Sequence, residues 1–200
     1  MTISNIIITI LGVDEMEIIN SSMDAILENI ADARQSLDDD SLKEFESVIL
    51  HVNNIFVAGI GRSGLVAKAF AMRLMHIGFS SYVVGETISP SIFENDCLVV
   101  ISGSGETNTV VSAAKIAKDR GSKVLAVTSY PDSTLGRLAD CCLYVKGRIN
   151  REDEDENYLK RQIHGNYTLL TPLGTAFELT ALLFLDALVF DLMEKKEMGL

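Results

Sequence analysis

From residue 55 onward, short apolar runs alternate with longer stretches of helical spacing. The runs near 55–58, 81–84, 98–101, 123–127 and 142–145 are bounded by turn residues, as strands of a parallel sheet covered on both faces should be. Between them, residues 63–77 and 107–119 read as helices, and 63–77 places Ala67, Phe70, Ala71 and Leu74 on one face. Upstream, 16–36 and 41–53 also read as helices, with Ile18, Ile19, Ile26, Leu27 and Ile30 near helical spacing. Asp38-Asp39-Asp40 marks the turn between them, and Ser41-Leu42-Lys43-Glu44 has the pattern of a capping box. A last helix is expected from about Thr175 to Lys195. Between Leu179 and Met193 its only charged residues are Asp186 and Asp191, so it must be buried on more than one side, with another subunit as the extra partner. The recurrence of run, turn and helix predicts an α/β fold: a single doubly wound, five-stranded parallel sheet flanked by helices.

Composition narrows the class. A chain of 200 residues with 48% hydrophobic content can bury one sizeable core, and nothing in it marks a second domain. A net charge of −11 argues against a broad nucleic-acid surface, while a small phosphorylated ligand needs only local donors. Cys97 and the adjacent Cys141-Cys142 lack C-x-x-C spacing and read as buried thiols of a reducing, cytoplasmic compartment. The apolar start, Ile6 to Leu11, lacks a preceding basic region and a span of about twenty residues, so neither a signal peptide nor a membrane anchor is expected. Residues 1–15 read as an extended or disordered N-terminal stretch, with 16–200 as the single domain; Met16 and Met23 leave the natural start open. Arg151 and the five acids Glu152 to Glu156 read as a solvated loop. His51 and His164 read as ordinary surface or loop residues.

Two turns carry the candidate chemistry: Gly59-Ile60-Gly61-Arg62-Ser63-Gly64 and Ser102-Gly103-Ser104-Gly105-Glu106-Thr107. Each follows an apolar run and precedes a helix. Glycine lets the backbone approach a ligand, a helix start offers unpaired N–H groups, and Ser63, Ser102, Ser104 and Thr107 add hydroxyl donors. Together they describe one pocket for an anion, most simply a phosphate held without a metal. Two other readings stand beside this one. Ser63 and Ser104 are also ordinary N-cap residues. Gly59, Gly61 and Gly64 fit G-x-G-x-x-G, with Glu86 at about the spacing of a ribose-binding acid, so a nicotinamide dinucleotide is the competing ligand.

Five segments in order carry a resemblance: Gly-Ile-Gly-Arg-Ser-Gly at 59–64, Ala-Met-Arg-Leu-Met-His-Ile-Gly-Phe at 71–79, Val-Gly-Glu-Thr at 84–87, Ile-Ser-Gly-Ser-Gly-Glu-Thr at 101–107 and Pro-Leu-Gly-Thr-Ala-Phe-Glu at 172–178. Over roughly residues 20–195 the chain resembles the sugar isomerase (SIS) domain and, within it, the 6-phospho-3-hexuloisomerases of the formaldehyde-fixing ribulose monophosphate pathway. SIS isomerases with a following regulatory CBS pair and SIS regulators with a leading helix-turn-helix domain are less similar, and a stand-alone catalytic domain is expected.

The resemblance implies an intramolecular oxidoreductase that converts D-arabino-hex-3-ulose 6-phosphate to fructose 6-phosphate through an enediolate, without cofactor or metal. It also implies a homotetramer, and a 3-hexulose-6-phosphate synthase as metabolic partner. With O6 phosphorylated, a C3 ketone has no hydroxyl placed to close a five- or six-membered ring, so the substrate is expected to bind open-chain. Glu178 matches the proton acceptor of the motif Gly-Thr-x-Phe-Glu, although Thr175 to Glu178 is also a capping box. The phosphate ligands are then Gly61, Arg62, Ser63, Ser102, Gly103, Ser104, Gly105, Glu106 and Thr107. Arg62 pairs with the phosphate or stabilises the enediolate, or is simply an exposed turn cation. Glu106 is the second-choice base or a contact for sugar hydroxyls. His76 relays the second proton, reaching the site of a neighbouring subunit, or else only stabilises a helix C-terminus. The alternatives are a non-catalytic phosphosugar-binding SIS module and an aldose–ketose isomerase.

Overall fold

The five apolar runs pair as one parallel sheet in the order β2-β1-β3-β4-β5. The computed structural model describes residues 15–35, 37–147 and 176–198. The expected N-terminal stretch up to residue 14, the acidic run 152–156, His164 and Thr175 lie outside them. In chain order the elements are α1 (Glu15–Arg34), α2 (Asp39–His51), β1 (Ile55–Ala58), α3 (Arg62–His76), β2 (Ser81–Val83), β3 (Cys97–Ile101), α4 (Asn108–Asp119), β4 (Lys123–Thr128), α5 (Thr134–Leu138), β5 (Cys141–Tyr144) and α6 (Ala176–Glu197).

Alternate residues of each strand serve opposite faces of the sheet. Ile55, Val57, Cys97, Val99, Ile101, Leu125, Val127 and Leu143 pack under α2, α3 and α6. Phe56, Ala58, Leu98, Val100, Val124 and Ala126 pack under α4 and α5. With both faces covered, the inner strands carry almost no polar residues, which is why they appear in the sequence as continuous apolar runs.

Two local features differ from the sequence reading. Helix α2 starts three residues earlier than the capping-box pattern suggests. Its N-cap is Asp38, whose carboxylate accepts the Ser41 N–H at 2.8 Å, and Asp39 and Asp40 join the first turn, where the helix dipole favours acids. The five-residue helix α5 was not expected, because one turn and a half is too short to show a period.

Helix α6 is anchored along its C-terminal half, and this sets where its first turn lies. Lys195 pairs with the buried Glu46 of α2 and with Asp191 at 2.5 Å. Burial, and then the neighbouring Asp191, push the Glu46 carboxyl above its ordinary range despite Lys195. Arg73 of α3 pairs with Asp186 at 3.4 Å and lies 5.6 Å over the Phe190 ring. Lys196 donates to the Ile77 and Gly78 carbonyls at 3.0 and 2.9 Å, closing the C-terminal end of α3. The helix is buried along Ala181, Leu185, Leu188 and Leu192, while Leu183 and Phe190 stay 55% and 59% exposed in the single chain.

Candidate functional site

Strand β1 leads through α3 to β2 on one side of the sheet, and β3 leads through α4 to β4 on the other. The chain therefore leaves neighbouring strands in opposite directions, opening a crevice beyond their C-terminal ends. Ala58 and Val100 are register partners, so the two glycine-serine turns begin side by side at this crevice.

The first turn is shaped by its glycines. Gly59 and Gly64 bring strand and helix together: a Cβ on Gly59 would lie 2.6 Å from the Ser63 carbonyl oxygen, and one on Gly64 would lie 2.9 Å from that of Gly59. Gly61 caps α3 at φ 61°, ψ −131°, a conformation that a side chain opposes. Ser63 does not cap the helix; it lies inside the first turn and is buried. Arg62 starts the helix and is exposed.

The second turn is held by its own hydroxyls. Gly105 N–H donates to Ser102 Oγ and Glu106 N–H to Ser104 Oγ, each at 3.2 Å. A hydroxyl oxygen that accepts an amide in this way still has its own proton to give, so Ser102 and Ser104 can serve as donors to an anion. Thr107, not Ser104, is the N-cap of α4. The Glu106 carboxylate turns aside, its Oε1 accepting the Thr134 N–H at 2.7 Å.

The first turn of α6 touches both loops. Phe177 is buried against Gly103 of the second, where a Cβ would come within 2.9 Å of the ring. Glu178 approaches the first, its Oε2 lying 3.9 Å from Arg62 Nε. That oxygen is buried and has no hydrogen-bond partner among the described residues. The capping-box alternative for Glu178 depends on Thr175, which lies outside them. A carboxylate oxygen without a partner among the described residues, a guanidinium beside it, two loops that carry serine hydroxyls and a helix N-terminus together suit an anionic substrate with an acidic C–H.

The sequence and the fold are similar to those of known proteins. Residues 48–152 match the model of the SIS domain family. The chain belongs to the SIS domain family. A 3-hexulose-6-phosphate isomerase of Bacillus subtilis is 39% identical over 171 residues, covering 86% of this chain and 87% of that protein. An uncharacterized protein of Archaeoglobus fulgidus is 47% identical, over 88% of this chain and 91% of its own length. A crystal structure of a hypothetical protein from Methanococcus jannaschii, for which a molecular function of 3-hexulose-6-phosphate isomerase was inferred, superposes with a TM-score of 0.71. It is 33% identical, over 88% of this chain and 92% of that one.

The structure brings together Gly61, Arg62, Ser63, Ser102, Gly103, Ser104, Gly105, Glu106, Thr107 and Glu178, all on the two loops or the turn of α6 that meets them. It does not bring His76 to them. His76 is exposed in the last turn of α3, and a helix of 15 residues separates it from Arg62 by about 20 Å. Glu86, the ribose-acid candidate of the dinucleotide reading, pairs with Lys68 of α3 at 2.6 Å. The cysteines lie in the strands, away from the loops: burial pushes the Cys141 thiol up to about 12 and Cys142 to about 11. No helix among the described residues is long and apolar enough to cross a membrane.

The sequence reading missed the segment after β4. Ser129 N–H donates to the Gly103 carbonyl at 3.1 Å, Leu135 N–H donates to that of Gly105 at 3.0 Å, and Thr134 N–H holds Glu106. The available signal was Pro131-Asp132-Ser133, a turn leading into an N-cap; Ser133 Oγ does accept the Gly136 N–H at 3.1 Å.

Proposed function

We propose that this chain isomerises D-arabino-hex-3-ulose 6-phosphate to fructose 6-phosphate through a 2,3-enediolate. One observation carries the reading: the buried Glu178 Oε2, without a hydrogen-bond partner among the described residues, sits 3.9 Å from Arg62 where α6 meets both loops. A carboxylate oxygen so placed can take a proton from a substrate carbon brought against it, with the Arg62 guanidinium at hand for the charge that develops.

In this reading the Ser63, Ser102, Ser104 and Thr107 hydroxyls, with backbone N–H groups of the two loops, hold the phosphate. The phosphate then anchors the open-chain sugar with its C2–C3 bond toward Glu178. Glu178 removes the C2 proton and the electron pair moves into a C2–C3 double bond, leaving negative charge on O3 that Arg62 stabilises. Protonation at C3 and loss of the O2 proton give the C2 ketone. The electrons stay within the substrate, so the balance requires no external oxidant or reductant. His76 relays protons between O2 and O3 in the site of a neighbouring copy, within a homotetramer that covers the exposed Leu183 and Phe190. The single domain spans residues 16–200 and works in the cytoplasm, taking its substrate from a 3-hexulose-6-phosphate synthase.

The test is proton NMR of fructose 6-phosphate with the protein in D2O, with Glu178→Gln as control. The expected result is deuterium at C3 and a new 3-ketose signal, both abolished in the variant while sugar phosphate still stabilises it thermally. Exchange at C1 with an aldose product would establish an aldose–ketose isomerase instead. Stabilisation without any exchange would leave a non-catalytic phosphosugar-binding module.

A further inference from the structure

Glu106 presents a chemical problem in a loop built for phosphate, since a carboxylate within a few ångströms of a bound dianion is repelled. The structure shows where its charge goes. Glu106 Oε1 accepts the Thr134 N–H at 2.7 Å, and Thr134 is the first residue of α5. The Glu106 amide holds Ser104 Oγ at 3.2 Å. One residue thus fixes the Ser104 hydroxyl with its backbone and ties that stretch of loop to the segment after β4 with its side chain.

The neighbouring contacts show how closely the two segments fit. Leu135 N–H donates to the Gly105 carbonyl at 3.0 Å, and a Cβ on Gly105 would lie 2.0 Å from Ser133 Oγ. We infer that Glu106 is a positioning residue: its carboxylate fastens the phosphate-binding loop to the N-terminal residue of α5, and it serves neither as the base nor as a ligand of the sugar. This rests on the phosphosugar reading of the loop, and it assigns to Glu106 a share of phosphate affinity separate from proton transfer.

Two substitutions break the same bond from opposite sides. Glu106→Ala removes the acceptor. Thr134→Pro removes the donor and leaves the helix intact, because proline suits the first helical position and Ser133, at φ −67° and ψ 169°, already has the backbone that a residue before proline needs. Each is expected to raise KM for fructose 6-phosphate about tenfold and to weaken thermal stabilisation by inorganic phosphate to match, with kcat within about threefold and its pH profile unmoved. The double variant should be no worse than either single one. Glu106→Gln keeps an oxygen acceptor and should bring KM back to within about threefold of the original protein.

The inference is overturned if Glu106→Gln loses kcat as Glu178→Gln does, which would make Glu106 a proton-transfer group. It is equally overturned if Glu106→Ala and Thr134→Pro bind phosphate as tightly as the original protein. If the original protein shows no exchange at all, the isomerase reading fails, and the phosphate-binding series still decides the role of Glu106.

Discussion

The Phe177 ring packs against Gly103 so closely that a Cβ there would lie 2.9 Å from Cδ1 and 3.1 Å from Cγ. Gly147 closes on the same residue from the other side, where a Cβ would lie 2.4 Å from Phe177 Cα. Phe177 precedes Glu178, so this contact fixes the first turn of α6 from which the carboxylate approaches Arg62. The Gly103 backbone does not need glycine for its φ; the lack of space alone excludes a side chain.

Gly103→Ala should therefore act through α6. Overpacking of this kind costs about 1–3 kcal/mol, and displacement of Glu178 by even part of an ångström should lower kcat at least about tenfold. Phe177→Leu combined with Gly103→Ala should recover part of that loss, giving a coupling of more than about 0.5 kcal/mol in a double-mutant cycle. Strictly additive effects on kcat and on urea stability would show that the contact carries no positional information.

Arg62 lies 3.9 Å from the Glu178 carboxylate and is itself 55% exposed on its side chain, so its value to stability is small. Its expected value is in the transition state. Arg62→Ala should reduce kcat/KM by about 10²–10³-fold, the range for loss of one oxyanion-stabilising donor. Arg62→Lys should recover only a fraction, since an ammonium cannot reproduce the planar fork of donors. Steady-state kinetics that leave either variant near the original would remove Arg62 from the mechanism.

Away from the site, Asp140 fastens the start of β4. It accepts from Lys118 Nζ and from Val124 N–H, both at 2.8 Å, with Lys123 at 3.7 Å. Burial pushes its carboxyl up; the Lys118 and Val124 bonds and the two lysine charges outweigh that and hold it below the ordinary 3.8. A depressed folded pKa means that the stabilisation is complete above about pH 4 and is lost as pH falls through the folded value. Asp140→Asn should cost about 1–3 kcal/mol at pH 7, and the difference should shrink steadily below pH 4 in urea titrations. An equal loss at both ends of that range would mean that the ionised carboxylate is not the source.

Strands were legible because burial on both faces removes polar residues from them, and the two loops were legible because glycine is needed where a strand bends closely into a helix. Ser63 shows the limit of that reading. Its residue type suits a cap, yet the unusual backbone of Gly61 moves the cap two residues upstream and leaves Ser63 buried inside the helix. Glu178 could be named from the motif it shares with a family, whereas the burial of its Oε2 without a hydrogen-bond partner among the described residues could not, because that depends on what α6 packs against.

The sequence by itself determined the alternation of strands and helices, the pair of loops and the kinds of donor they offer, since each follows from residue types a few positions apart. Tertiary structure decided which of those groups meet. The Glu106–Thr134 bond joins residues 28 positions apart, and the Phe177–Gly103 contact joins a helix end to a strand end on the far side of the chain. Local pattern encodes the conformation of a segment, but the distance between two segments is set by the packing of everything between them. That is why Lys195, Lys196 and Arg73, which anchor α6 far from its start, also bear on where its first carboxylate lies.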